Sequence, residues 1–303
     1  MSKFDLSKTI TKIQNSLKGN ERRAGQIGLG SSLESVSNDP KDYVVMPTWW
    51  KEKFGILGLR FGHFVQIAGE PDSGKTSISL LAIRCAQEQG YGVVYVETEG
   101  KTSEEDLQAA GIDTNGVIVV RSKIVEEAFD ASNLAIDAFF SDFPKDKLLY
   151  VFDSYGNTVS MRDSDLKLTE KSGMVGGAAK TNRMGIGSIA AKQINNDIAC
   201  LIVNYTYANL GSPGKTNAGG NALNFHCMLT IQSSRKAWYE RTVQGEKVRA
   251  GADVMWKVYK NHYAKALKDA DGNQILLPKE VVLRITEKGM EPLKGAKSSS
   301  EEE

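Results

Sequence analysis

The chain has 303 residues, of which 41% are hydrophobic and 25% charged, with a formal net charge of +1. This composition excludes a disordered polyelectrolyte and allows a large buried core. The near-zero charge provides no global basic field, although a neutral chain can still carry a basic groove.

The first residues, Met1-Ser2-Lys3-Phe4-Asp5, lack the apolar core of a signal peptide, and no run approaches the length of a membrane span. A soluble, cytoplasmic protein with no membrane partner is expected. Cys85, Cys200 and Cys227 are widely spaced in apolar surroundings and read as reduced core residues. Leu6, Ile10, Ile13 and Leu17 recur at helical spacing, which predicts an amphipathic helix over 5–18. A helix this short needs a surface to lie on, and the Gly/Ser-containing stretch 25–38 after it reads as a linker. Residues 1–44 are therefore expected to be an N-terminal helical extension that contacts another subunit, and 45–290 the core. The polar stretch 291–303 reads as a disordered tail.

Within the core, apolar runs at 64–68, 93–97, 117–121, 148–152 and 198–204 alternate with helical patterns near 77–89, 124–140 and 177–196. Nearly continuous apolar strands separated by helices predict an α/β fold, a mostly parallel twisted sheet flanked by helices. Runs at 228–232, 254–259 and 281–285 predict antiparallel strands extending one edge.

The strand at 64–68 runs into Gly69-Glu70-Pro71-Asp72-Ser73-Gly74-Lys75-Thr76, a complete G-x-x-x-x-G-K-[ST] phosphate loop opening a helix. Glycines let backbone N–H groups turn inward around an anion, and the following helix points its positive end at the same place. Gly69 to Thr76, with Ser77 behind them, are the expected nucleotide contacts. Lys75 would reach the β- and γ-phosphates and Thr76 would ligate Mg²⁺. Phosphoryl transfer also needs a metal-side carboxylate, and the strand ending in Asp153 supplies one. A water-positioning carboxylate should stand at another strand end. Glu97 and Glu99 both qualify, and alternation places them on one side, so position alone does not choose.

The order of these motifs resembles the RecA-type recombinases. It runs phosphate loop, strand ending in acid-x-Glu, strand ending in Asp-Ser, then strand ending in Asn before a glycine-rich loop. Gly219-Gly220-Asn221-Ala222-Leu223 is similar to that family's GGNAL stretch. Asp153-Ser154-Tyr155-Gly156-Asn157 and Asn204-Tyr205-Thr206-Tyr207 are closest to its phage UvsX-like branch. The resemblance implies a RecA-like P-loop NTPase core that uses ATP and Mg²⁺, with Glu99 as the catalytic glutamate. Tyr205 stands where the family has a glutamine or, in its phage branch, a histidine, and is expected to couple the γ-phosphate to DNA. Asp106 replaces a tyrosine that stacks on adenine in many relatives.

The resemblance also implies two DNA-binding loops, near 161–175 and 205–221. Arg162, Lys167 and Lys171 fall in the first, with Lys180 and Arg183 one helical turn apart behind it. Tyr207, Lys215, Gly219 and Gly220 fall in the second, where backbone N–H groups could meet phosphates and a ring could pack on bases. Lys260 and His262 match a segment that reaches the neighbouring subunit's ATP, where cations stabilise transition-state charge. Histidine replaces a lysine there, and it carries a full charge only when protonated.

The resulting expectation is a DNA-dependent ATPase and homologous recombinase in recombination and repair. It would form a helical filament on single-stranded DNA and pair it with homologous duplex DNA. Single-strand-binding and mediator proteins are its further expected partners. A hexameric helicase motor and a nucleotide-gated mediator without enzyme activity are the alternatives.

Overall fold

The computed structural model describes residues 7–16, 37–165, 177–208, 215–217, 222–269, 271–287 and 289–293. The chain divides into two compact units, one through Ser37 and one from Asn38. The first contains helix α1 (Ser7–Ser16), none of whose residues is buried. Its Ile10 and Ile13 lie on the expected helix, while Leu6, Leu17 and the linker segment 25–36 lie outside the described residues.

The second unit begins with β1 (Tyr43–Val45), α2 (Thr48–Phe54) and β2 (Gly58–Arg60). β1 and β2 pair antiparallel, so Tyr43 and Val44 are buried in the core, inside the segment expected to be extension. Trp49, Trp50 and Phe54 of α2 pack edge-on and stacked against Trp256, which pins this element to a later strand.

The main sheet follows the predicted alternation. Its elements are β3 (Phe64–Gly69), α3 (Lys75–Glu88), β4 (Gly92–Glu97), α4 (Glu104–Ala109), β5 (Val117–Arg121), α5 (Val125–Asp142) and β6 (Leu148–Asp153). Next come α6 (Met161–Asp165), α7 (Gly177–Gln193), β7 (Ile198–Ala208), β8 (Lys215–Asn217) and α8 (Ala222–His226). The last strands are β9 (Cys227–Val243), β10 (Glu246–Asn261), β11 (Glu280–Thr286) and β12 (Gly289–Pro292). The spatial order is β12-β11-β10-β9-β3-β7-β6-β4-β5, with β8 appended to β7.

β3, β4, β6 and β7 are buried on both faces, which explains their unbroken apolar runs. Val94, Val96, Tyr150, Phe152 and Ile202 pack with Phe129 and Ile136 of α5 and Ile186 and Ile189 of α7. The alternate strand residues lie on the other face, where α3 packs across β3, β4, β6 and β7.

Two features differ from the sequence expectation. β9 is parallel to β3 and becomes the antiparallel partner of β10, so the change of direction falls one strand later than expected. β9 and β10 are also far longer than their apolar cores. Their outer halves are polar and exposed, so apolar periodicity marks only the halves buried against the sheet. The turn residues Gln244 (φ 53) and Gly245 (φ 88) are both left-handed, as a tight two-residue hairpin turn requires. Of the 291–303 stretch expected to be a disordered tail, Glu291 and Pro292 instead belong to β12, paired with β11, and 294–303 lie outside the described residues.

Candidate nucleotide and DNA site

The parallel strands deliver Gly69, Glu97, Asp153 and Tyr205 to one edge of the sheet, in neighbouring register. Gly69 has no room for a side chain: a Cβ there would stand 2.1 Å from the Ser233 hydroxyl and 2.3 Å from its carbonyl. Ser233 on β9 shares a 2.7 Å hydrogen bond with Ser73, whose hydroxyl is also 2.7 Å from the Glu70 carbonyl. Ser233 therefore braces the phosphate loop, and no sequence motif pointed to it. Gly74 caps α3 in a left-handed conformation (φ 81) with its Cβ direction filled by Ile285, so glycine is required there.

Lys75 is buried and donates to the Glu70 carbonyl, with its ammonium 4.7 Å from the centre of the Tyr205 ring. Burial lowers its pKa, opposed by Asp153, Glu99, Asp72 and Glu70. Four acidic side chains thus favour the charged ammonium that an incoming phosphate requires.

Asp153 is also buried, and burial pushes its pKa up to about 6 despite hydrogen bonds from Thr76 and Ser79. Its Oδ2 has no hydrogen-bond partner among the described residues. A buried, unpartnered carboxylate oxygen beside a threonine hydroxyl suits a Mg²⁺ ion that keeps most of its water and phosphate ligands. No cluster of three His, Cys, Asp or Glu occurs among the described residues, and a Thr/Asp/phosphate site needs none.

The two candidate glutamates have different hydrogen-bond partners. β4 ends at Glu97, and its carboxylate accepts the backbone N–H groups of Glu99 (3.0 Å), Gly100 (2.8 Å) and Lys101 (3.3 Å). Glu97 therefore ties down the turn after the strand, and strand alternation stops before Glu99. Glu99 stands in that turn and receives hydrogen bonds from the Ser154 hydroxyl (3.1 Å) and the Tyr205 hydroxyl. Its other oxygen is 2.5 Å from the Lys101 ammonium. Burial opposes the Glu99 charge, but the bonds from Lys101, Tyr205 and Ser154 outweigh it and hold the carboxyl below its ordinary range. The phenol of Tyr205 is pushed up by burial and by Glu99.

A cleft of about 260 Å³ opens among Thr76, Glu97, Glu99, Lys101, Asp106 and Asp153, so both glutamates line it. Asp106 has a structural role as well: with Ser103 it forms a reciprocal capping box at the start of α4. A second cleft, of about 250 Å³, adjoins at Leu80 and Ala109 and is walled by Arg84, Ile285 and Met290.

Lys260 and His262 are not brought to this edge within one chain. Lys260 pairs with Thr230, and Thr230 with Gln66, three residues short of Gly69 and roughly 10 Å down the sheet. The Lys260 ammonium donates to the Asn224 carbonyl at 2.6 Å. His262 is exposed and holds the end of β9 through its backbone, donating to the Met228 carbonyl.

Of the candidate DNA contacts, Arg162 is exposed on α6, and Lys180 and Arg183 are exposed one turn apart on α7. Glu126, at the start of α5, accepts from the Met161 backbone (2.9 Å) and the Thr181 hydroxyl (3.2 Å), tying α6 and α7 to one anchor. Tyr207 and Lys215 lie on a short β7–β8 hairpin, with Tyr207 opposite Thr216 and Ala208 opposite Lys215. Part of the segment expected to be a glycine-rich loop is therefore strand. Lys167, Lys171, Gly219 and Gly220 lie outside the described residues.

The RecA N-terminal domain family matches residues 50–281. The chain is similar to the RecA proteins of Fusobacterium nucleatum (24% identical over 219 residues, 71% of this chain) and Saccharopolyspora erythraea (25% over 253 residues, 81%). It is likewise similar to the RecA protein of Sulfurovum sp. (25% over 221 residues, 72%). The matched stretches cover 55%, 69% and 60% of those relatives' lengths.

Proposed function

Because the chain belongs to the RecA N-terminal domain family, we propose that it is a DNA-dependent ATPase and recombinase. It would assemble on single-stranded DNA as a helical filament and pair that strand with homologous duplex. The observation that carries this reading is the meeting of Lys75, Asp153, Glu99 and Tyr205 at one sheet edge, on a strand that continues into the β7–β8 hairpin.

ATP would lay its triphosphate across residues 69–76, releasing Lys75 from the Glu70 carbonyl to the phosphate oxygens. Thr76 and Asp153 would hold Mg²⁺, which when bound draws charge from the phosphate oxygens. Glu99 would orient the attacking water once its bonds to Tyr205 and Lys101 yield. Its depressed pKa favours the ionised form that accepts a hydrogen bond from that water. Tyr205 touches Glu99 and stands over Lys75, so a shift of β7 under DNA would change both contacts together.

The position of Lys260 supports a site finished by a second copy, since the Lys260 of the same chain stands well short of its own loop. A head-to-tail contact of this kind that does not close gives a filament. The edge strand β5, with Ile118 and Val119 about two-fifths exposed, offers apolar surface for such a contact. The phage UvsX-like placement within the family rests on the Asp153–Asn157 and Asn204–Tyr207 stretches.

The test is ATP hydrolysis with and without single-stranded DNA, run beside a strand-exchange assay. Stimulation by DNA with joint molecules is the expected result. DNA-independent hydrolysis with directional unwinding, or no hydrolysis at all, would overturn the reading.

A further inference from the structure

Beyond Ser233, β9 outruns β3 and passes alongside the phosphate loop. Two contacts link them: the buried Ser73–Ser233 bond, and a 3.1 Å ion pair between Asp72 and Arg235. Asp72 has a left-handed backbone (φ 56), unusual for a residue with a side chain, and helps turn the loop's N–H groups inward. Its carboxylate also stands close enough to Lys75 to raise that ammonium's proton affinity, so it is within electrostatic reach of a bound triphosphate.

Arg235 has a second partner. Its guanidinium carbon lies 4.2 Å from the centre of the Trp238 ring, and that of Arg249 lies 4.5 Å from the same ring. Residues 235 and 238 would face opposite sides of a regular strand. The pairing register shifts between Arg235↔Val254 and Ala237↔Asp253, and the extra residue, Lys236, returns both to one face. A second shift next to Ala250 accompanies the placement of Arg249 on that ring. Asp72, Arg235, Trp238 and Arg249 thus form a continuous chain of contacts from the phosphate loop along the exposed hairpin. Beyond Asp72, none of its members belongs to the loop, strand or acid motifs.

We propose that Arg235 is a positioning residue for the phosphate loop: it cancels the Asp72 charge beside the triphosphate, holds the left-handed turn, and makes nucleotide affinity depend on the Trp238 stack. The proposal rests on the nucleotide-binding reading of residues 69–76. A carboxylate facing a polyphosphate is repulsive unless neutralised, and Arg235 neutralises it through a guanidinium whose other contact is an aromatic face on the hairpin. Any occupant that lifts Arg235 off Trp238, or presses it on, would thereby alter the grip on ATP.

The test is a double-mutant cycle read by titration with a fluorescent (mant) ATP, with thermal melts to verify folding. Arg235→Gln should weaken binding by about fivefold, the scale of one partly exposed ion pair. In an Asp72→Asn background, where no charge needs cancelling and asparagine keeps the turn, the same substitution should change binding by less than about twofold. Trp238→Ala should weaken binding in the parent and not in Asp72→Asn, while Lys247→Gln at the hairpin tip should do nothing in either. Equal losses in both backgrounds, or no loss for Arg235→Gln, would overturn the inference while leaving nucleotide binding intact. A parent chain that binds no mant-ATP would overturn both this inference and the reading it rests on.

Discussion

The Tyr205 hydroxyl donates a hydrogen bond to Glu99 while the Tyr205 ring lies over the Lys75 ammonium, so one side chain touches both the proposed water-positioning acid and the proposed phosphate-binding cation. Tyr205→Phe keeps the ring and removes the bond. A hydrogen bond to a charged group contributes about 1.5–3 kcal/mol, but Ser154 and Lys101 remain on Glu99, so only part of this is released. ATP turnover without DNA should rise by about three- to tenfold and the further stimulation by DNA should shrink. Phosphate release measured with and without DNA checks it, and an unchanged basal rate would argue against restraint by Tyr205.

Glu99→Gln should leave mant-ATP affinity close to that of the parent chain and reduce turnover by about 10²- to 10⁴-fold, the usual contribution of a positioned base. Filaments on DNA should persist in electron micrographs long after the parent has released. Normal turnover would remove Glu99 from the chemistry.

Glu97 should behave differently despite its proximity. Its carboxylate accepts three backbone N–H groups, so Glu97→Ala orphans them and should lower stability by about 2–3 kcal/mol. Denaturant melts would register that loss. Glu99→Gln should leave the same midpoint nearly unmoved.

Asp153 carries a pH dependence with a definite sign. Its folded pKa of about 6 exceeds the ordinary 3.8, so the folded chain binds the extra proton between those values. Stability from this group is fully present below about pH 4 and is lost as pH rises through 6. Asp153→Asn should therefore stabilise the nucleotide-free protein at neutral pH by about 2–3 kcal/mol, and the gain should fade below pH 4. The same variant should lose the Mg²⁺ dependence of ATP binding. In the parent, that dependence should weaken below pH 6, as protons compete with the metal. Melting curves across pH 4–8 and titrations with and without Mg²⁺ test both halves.

Deleting residues 1–20 should abolish long filaments while leaving nucleotide binding in the core intact. Long filaments of the truncated chain by electron microscopy would refute a clasp formed by the N-terminal helix.

Much of this molecule was legible in the linear chain because its signals are local. The phosphate loop depends on glycines within eight residues. β3, β4, β6 and β7 announce themselves as apolar runs because both their faces are buried. The Asp153 strand and the order of motifs are likewise local, and they point to one sheet edge. The outer halves of β9 and β10 carried no such signal, since neither face is buried there and polar alternation resembles a surface loop.

Tertiary structure decided what distant segments do to one another. The different surroundings of Glu97 and Glu99 turned on where β4 stops and which carboxylate the turn's N–H groups capture. Sequence spacing does not encode that capture. Tyr205 meets Glu99 across 106 residues because β7 pairs parallel with β6 and β6 with β4, and Arg235 meets Asp72 across 163 because β9 pairs parallel with β3. Local pattern determined the elements and the reactive groups. Strand order and register decided which of those groups touch, because hydrogen-bonded pairing sets distances between residues that the chain itself leaves far apart.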